Sequence, residues 1–212
     1  MRTVKNKAEG YKRNYYVGLV HYPVYNKHRQ VINTSITNMD VHDIARTCCS
    51  YGVRNYILIN PLSSQKDLYK KIIKFWQSEL GRNYQPDRAE ALRKTVFLSS
   101  IDEGRKYIEN QEKAYPVVVT TTANHKKDQI EYDSLNDIID EDKPILILFG
   151  TGYGLSERIH LESDYILKPI ESYSEYNHLS VRSAVAIVLD RLIPKNKGGD
   201  DGYSTSCKQR TA

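Results

Sequence analysis

Short apolar runs recur along the chain, each bounded by polar or turn-forming residues. They are Tyr15–His21, Arg54–Asn60, Thr95–Ser99, Tyr115–Thr121 and Ile145–Phe149, with a shorter one at Tyr165–Lys168. The runs are continuously apolar more than alternating, the pattern of strands buried on both faces of a parallel sheet. Between them the period changes to that of helices. Thr37 or Asn38 caps a helix to about Tyr51 with Val41, Ile44, Ala45 and Cys48 as its apolar stripe and Gly52 as its C-cap. Ser64–Leu80 predicts an amphipathic helix, with Leu68, Ile72, Phe75, Trp76 and Leu80 inward and Lys66, Lys70, Lys71 and Lys74 outward. Gly81–Asp87 breaks it before a short turn at Arg88–Lys94. Further helices are expected at Ile101–Gln111, Tyr132–Ile139, near Leu155–His160 and over the last apolar segment, from an N-cap at Asn177 to Pro194. Alternating strands and helices predict an α/β fold with a mostly parallel sheet flanked by helices.

One stretch organises the rest. Ile145–Phe149 is five apolar residues followed by glycine at alternate positions, Gly150, Gly152 and Gly154. Glycine there permits a sharp turn and close approach of the backbone to a ligand. Ligands of parallel α/β sheets lie beyond the C-terminal strand ends. Three loops converge there: Thr120–Asn124, Gly150–Gly154 and Ile170–Asn177. The spacing is not a dinucleotide fingerprint, which belongs on the first strand–helix turn, nor a phosphate loop or nucleophile elbow.

Composition changes this picture little. The 212 residues suffice for one sizeable core, and no apolar run approaches a membrane span. The N-terminus lacks the apolar region of a secretory signal. Cys48, Cys49 and Cys207 are odd in number and unpaired in spacing, which suits a reducing, cytoplasmic compartment and excludes a disulfide framework or zinc motif. The net charge of +5 resides in the tails: residues 1–13 carry +4 and residues 194–212 carry +2, leaving the body at −1. The organisation expected is a basic arm (1–13), one domain (14–193) and a disordered tail (194–212).

Three stretches, in this order, resemble the three motifs of the SPOUT superfamily of RNA methyltransferases: Asn33–Arg46 (NTSITNMDVHDIAR), Ile147–Ile159 (ILFGTGYGLSERI) and Ile166–Leu192 (ILKPIESYSEYNHLSVRSAVAIVLDRL). The similarity extends over residues 15–193 and is nearest to a small bacterial stand-alone group related to the domain fused to tRNA guanine-N1 methyltransferases, with YNHLSVR at Tyr176–Arg182 as its characteristic stretch. The resemblance implies a C-terminal deep trefoil knot, S-adenosylmethionine as cofactor, a tRNA or rRNA substrate and a homodimer. No metal is called for. By position it places the cofactor on Thr121, Thr122 and Ala123, on Phe149, Gly150, Thr151, Gly152, Gly154 and Leu155, and on Ile170 with Tyr176, Asn177, His178, Leu179, Ser180 and Val181. Leu155, Ile170 and Leu179 are the apolar side chains available to hold an adenine.

Candidates to assist a departing proton are Asn38, His42 and Arg46 on the first motif's helix, off its apolar stripe, and His178. His42 and Arg46 stand at i and i+4 on one face. His178 is expected in the first turn of the last helix, where the dipole favours a neutral, proton-accepting imidazole. The first motif departs from the usual Asn-to-Arg spacing, so a noncatalytic cofactor- or RNA-binding module is the alternative reading. Arg182 is polar in an apolar helix and calls for a partner. For RNA, the densest basic run is Lys70, Lys71, Lys74, Arg82, Arg88, Arg93 and Lys94, with Tyr84 interleaved; the N-terminal arm is a second source of phosphate affinity.

Overall fold

In the computed structural model, which describes residues 14–140 and 142–193, every apolar run named above becomes a strand of one sheet. Its strands are β1 (Tyr15–Val20), β4 (Asn55–Ile59), β5 (Thr95–Leu98), β6 (Val117–Thr120), β7 (Gln129–Ile130), β8 (Ile145–Gly150) and β9 (Tyr165–Leu167). Their order is β5-β4-β1-β8-β6-β9-β7, and all pair in parallel. The Ile145–Phe149 run therefore lies in the middle strand, flanked by β1 and β6. The expected basic arm and disordered tail lie outside the described residues.

Alternation along the strands feeds two cores. Val17, Leu19, Tyr56, Leu58, Ile145 and Ile147 face one side; Tyr16, Val20, Ile57, Ile59, Leu146 and Leu148 face the other. The first core is closed by α1 (Asn38–Ser50), α4 (Pro86–Arg93) and α8 (Val181–Leu192), which bring Val41, Ile44, Cys48, Leu92, Val185 and Leu189. The second is closed by α5 (Ile101–Glu112) and α7 (Glu157–Leu161), through Ile108 and Ile159. The helix α6 (Tyr132–Ile138) packs Leu135 beside α8.

The caps explain several boundaries. Thr37 accepts from the Asp40 amide to start α1, and Gly52 follows its end at φ +68°. The last helix starts later than expected: its cap is Ser180, which accepts from the Ser183 amide, and Asn177 lies in the extended segment ahead of it. The Ser64–Leu80 segment divides into α2 (Ser63–Trp76) and α3 (Glu79–Tyr84), the latter capped by Ser78. A Cβ on Gly81 would lie 2.4 Å from the Phe75 carbonyl oxygen, so the chain doubles back at a point that only glycine fits. The break falls at Gln77 and Ser78, earlier than the Gly81–Asp87 break expected, so Leu80 belongs to α3 and leaves the register; it is exposed, as are Leu68 and Phe75, and only Trp76 of that expected stripe is buried. Two further elements were not foreseen. β7 adds an edge to the sheet, and the Tyr22–Ser35 loop contains a small antiparallel pair, β2 (Val24–Tyr25) and β3 (Val31–Ile32). Two-residue strands are too short to leave a period in the sequence.

Ile147 is fully buried in the middle strand. Ile147→Ala should cost about 3 kcal/mol in urea unfolding, whereas Thr37→Ala should cost about 1 kcal/mol through lost capping.

Candidate functional site at the glycine-rich loop

The C-terminal ends of β1, β4, β6 and β8 form one rim of the sheet, and the loops leaving them make the site. The turn after β8 is built on close backbone approach. A Cβ on Gly150 would meet the Leu155 nitrogen at 2.5 Å and the Gly154 carbonyl carbon at 2.8 Å. Gly152, at φ +60°, would bring a Cβ within 2.9 Å of the Tyr25 oxygen. The alternate glycines thus let the loop fold back on itself and receive a second loop against its outer side.

That second loop is the β2–β3 hairpin. Tyr25 donates its amide to the Gly154 oxygen (2.9 Å) and accepts from the Tyr153 amide (2.9 Å). Ser156 donates to the Pro23 oxygen, and the Glu157 amide donates to the Tyr25 hydroxyl (3.1 Å). Val24 and Leu155 form an isolated bridge. Leu155 is therefore a core residue, 4% exposed, packed with Val20 and Val24. Its side chain is not available to hold an adenine, in contrast to the expectation, because the Gly154 turn aims it inward. Phe149 is equally buried. Both can offer a ligand only their backbone.

Beneath the loop lies a buried polar set that sequence reasoning missed. His21 Nδ1 is 3.0 Å from Thr34 Oγ1, which is 2.5 Å from Thr151 Oγ1. Asn60 donates to the Thr34 carbonyl (3.0 Å) and accepts from Asn33 (3.3 Å). His21 and Asn60 are fully buried at the ends of β1 and β4. Burial lowers the His21 pKa to about 4, so the ring is neutral. A second histidine, His160, bonds Thr120 Oγ1 at 2.9 Å and fixes the end of β6; burial first, then Lys126, lowers its pKa to about 4. The available signal was positional: three of the apolar strand runs carry a polar residue at the C-terminal end, His21, Asn60 and Thr120, at the rim where ligands of such sheets bind.

The third loop leads from β9 to α8. Asn177 donates to the Ala123 carbonyl (3.3 Å), which joins it to the loop after β6. Thr121 donates its amide and hydroxyl to the Leu148 carbonyl, which draws that loop to the middle strand. The three loops expected to converge do so. Thr122 and Ile170 are half-buried, while Tyr176, His178, Leu179 and Ser180 are exposed. His178 packs edge-on to Tyr176 (5.3 Å) in extended chain ahead of α8, so it lies outside the first helical turn where it was expected.

The first motif's helix is differently disposed than its pattern suggested. His42 is buried edge-on against Trp76 (5.3 Å), and its pKa is lowered by burial, then by Arg88. Asn38 and Arg46 are exposed, so His42 does not share the solvated face expected for it. Arg182 finds two partners, Asp40 and Asp43 of α1, each at 3.6 Å. In the basic run, Arg88 stacks over Trp76, whereas Lys70, Lys71, Lys74, Arg82 and Arg93 are exposed. Among the described residues, no cluster of three His, Cys, Asp or Glu is placed to hold a metal, and no helix is long and apolar enough to cross a membrane.

The rim fits an adenosyl ligand. Thr122, Gly154 and Leu155 line one cleft at this rim, so the loops after β6 and β8 present backbone and a hydroxyl to a common space. Gly150→Ala should lower the melting temperature by several degrees, or about 2 kcal/mol, because backbone and not side chain opposes the new Cβ. The histidines give a pH signature. A folded-state pKa depressed from 6.5 to about 4 means protonation disfavours the fold, so stability present above pH 6.5 is lost as pH falls towards 4. Unfolding at pH 5 and pH 7 should differ by about 2 kcal/mol more in the parent protein than in His21→Asn.

Residues 14–194 match the family model for SAM-dependent RNA methyltransferase. A protein of Aquifex aeolicus is 38% identical over 185 residues, 87% of this chain and 90% of that one. A tRNA (guanine-N(1)-)-methyltransferase of Oleidesulfovibrio alaskensis is 39% identical over 189 residues, covering 89% of this chain but only 44% of the longer protein. In fold, the chain is similar to the SpoU methyltransferase AviRb of Streptomyces viridochromogenes, solved with AdoMet: TM-score 0.53, 15% identity, 86% of this chain and 58% of that one. With a parallel sheet, a glycine-built rim and a match over the whole described domain, the chain belongs to the SAM-dependent RNA methyltransferase family, and S-adenosylmethionine is its cofactor.

Proposed function

We propose that this chain is an active methyltransferase that transfers the methyl group of S-adenosylmethionine to tRNA, working in the cytoplasm as a homodimer. The observation that carries the reading is the convergence of the three loops on a glycine-lined rim, tied by the Asn177–Ala123 and Thr121–Leu148 bonds. The tRNA assignment is supported by the name of the Oleidesulfovibrio relative, although this chain spans less than half of it. A C-terminal trefoil knot is supported by the sheet order. β9 inserts beside β6, and the chain then returns to pack α8 against α1 and α6.

S-adenosylmethionine supplies, when bound, an electrophilic methyl on a sulfonium. The work of the protein is positioning, since an in-line displacement needs donor and acceptor held in register. Backbone groups of Thr121–Ala123, Gly150–Leu155 and Ile170 with Tyr176–Val181 hold the cofactor; Phe149 and Leu155 secure that loop from the core. Arg182 fixes the start of α8 to α1 through Asp40 and Asp43, and so sets the end of the last loop. Asn38, Arg46 and His178 are accessible to an RNA and are the groups proposed to orient the acceptor or receive its proton. His42, enclosed beside Trp76, supports α1 from behind.

The dimer is supported by exposed apolar side chains at one end of the molecule. The Arg182–Asp40 pair joins the starts of α1 and α8, and Met39 and Leu179 beside it are 58% and 49% exposed. A second copy burying that end would cover both.

Calorimetric titration with S-adenosylhomocysteine should show micromolar binding, with none for NAD. Arg46→Ala should then lower methyl transfer to tRNA about 100-fold with unchanged product affinity, the size of effect typical of a lost proton-handling or orienting group. Product binding without methyl transfer to any tRNA or rRNA would establish the noncatalytic module instead.

A further inference from the structure

A cleft of about 400 Å³ opens on the outer side of the glycine-rich loop, between the β2–β3 hairpin and the loop after β6. Tyr153, Gly154 and Leu155 form its floor; Arg29, His125 and Lys126 line its walls. The hairpin tip is rigid for a surface loop. The Asn26 side chain accepts from the amides of His28 (2.9 Å) and Gln30 (3.0 Å), and Asn26 and Arg29 close a backbone turn. Arg29 sits at that turn with φ +60°, and its guanidinium lies 4.4 Å from the centre of the Tyr25 ring. Tyr25 is the residue stapled to Gly154 and Tyr153. The cation is thus carried by a ring, the ring by the hairpin, and the hairpin by the glycine-rich loop.

Lys126 reaches the cleft from the opposite side, held by Glu157 at 2.5 Å. His125 is 3.5 Å from Glu171. Thr122 and Asn124 add neutral donors at the mouth. Glu157 also lines the cleft and offsets Lys126, so the excess positive charge is that of Arg29, whose planar fork matches phosphate oxygens. S-adenosylmethionine sets a sulfonium and an ammonium against a single carboxylate, so an excess cation favours a phosphodiester over it. Thr122, Gly154 and Leu155 of the cleft belong to the segments the cofactor occupies by resemblance, whereas Arg29 and Lys126 lie outside them, so an anion held by that pair would sit beside the cofactor.

We propose that this cleft is an anion subsite holding a phosphodiester of the RNA substrate next to the methyl donor, with Arg29 as its main contact and Lys126 as its second. The proposal rests on the reading of the chain as an RNA methyltransferase. It gives the hairpin a function: to couple the grip on the RNA backbone to the loop that positions the cofactor. The exposed Lys27 and His28 at the same tip extend the track that a strand would follow out of the cleft.

The test uses the full chain, an unmodified tRNA transcript as probe, and S-adenosylhomocysteine titration as a separate readout. Arg29→Ala should weaken tRNA binding about tenfold and reduce the slope of log affinity against log salt by about 0.7 to 0.9, the value of one phosphate contact. Arg29→Lys should keep the slope and recover part of the affinity. The pair Lys126→Gln with Glu157→Gln, which leaves no unpaired carboxylate, should reduce the slope again. Product affinity should stay within twofold in all three, which also shows that they fold. Loss of product affinity with an intact salt slope would assign the cleft to the cofactor and overturn the proposal. So would an unchanged slope in Arg29→Ala. If the parent chain binds product but no tRNA at any salt, the RNA-methyltransferase reading itself fails.

Discussion

The site depends on how closely two backbones approach at the end of the middle strand. Gly150 brings β8 back onto Gly154 and Leu155 with no room for a Cβ, and Gly152 lets the hairpin's Tyr25 carbonyl lie against the loop. Everything at the rim follows from that contact. Leu155 turns inward to complete the second core, the Tyr25 bonds to Tyr153 and Gly154 become possible, and the loop presents backbone outward. A site built from main chain has an advantage for an adenosyl cofactor: its groups are held by the fold and lose no rotamer freedom on binding.

Burial makes the polar floor of this site unusual. His21, Asn60, Thr120 and His160 lie at or under the strand ends, where solvent is excluded but ligands are close. Each bonds a residue from elsewhere in the chain: Thr34 for His21 Nδ1 and for Asn60, and His160 of α7 for Thr120, while His21 Nε2 is buried without a partner. A buried polar group that pairs across loops fixes their relative position more sharply than apolar packing, since an unmade bond there is costly. The neutral state of both histidines follows from the same burial.

Charge holds the first and last helices together. α1 and α8 are joined by Arg182 to Asp40 and Asp43, half-buried ionic contacts that hold two packed helices in one register and so fix the loop between β9 and α8. Arg46, Asn38 and His178 are left at the surface. On the proposed reading, exposed side chains beside a rim built from backbone suit a large substrate, which cannot enter a closed pocket.

By itself the sequence determined the sheet and its centre. Runs such as Ile145–Phe149 and Tyr15–His21 can only be buried on both faces, and the helices between them set a parallel order. It also determined the three converging loops, because parallel strands place all their exits on one rim, and the motif resemblance named the cofactor that fits there. Only the tertiary structure decided the rest. The hairpin at Val24–Ile32 has no period to read; it exists because the glycine-rich loop supplies its partners. His42 reads as a solvated helix residue until Trp76 covers it, and Trp76 arrives from a different helix. Asn177 reads as the cap of the last helix until its bond to Ala123 places it in the loop, and Ser180 caps the helix instead. Leu155 reads as a cofactor contact until the Gly154 turn points it at Val24. Local patterns fix what a segment can be; which side chain faces a ligand is fixed by contacts with residues far away in the chain.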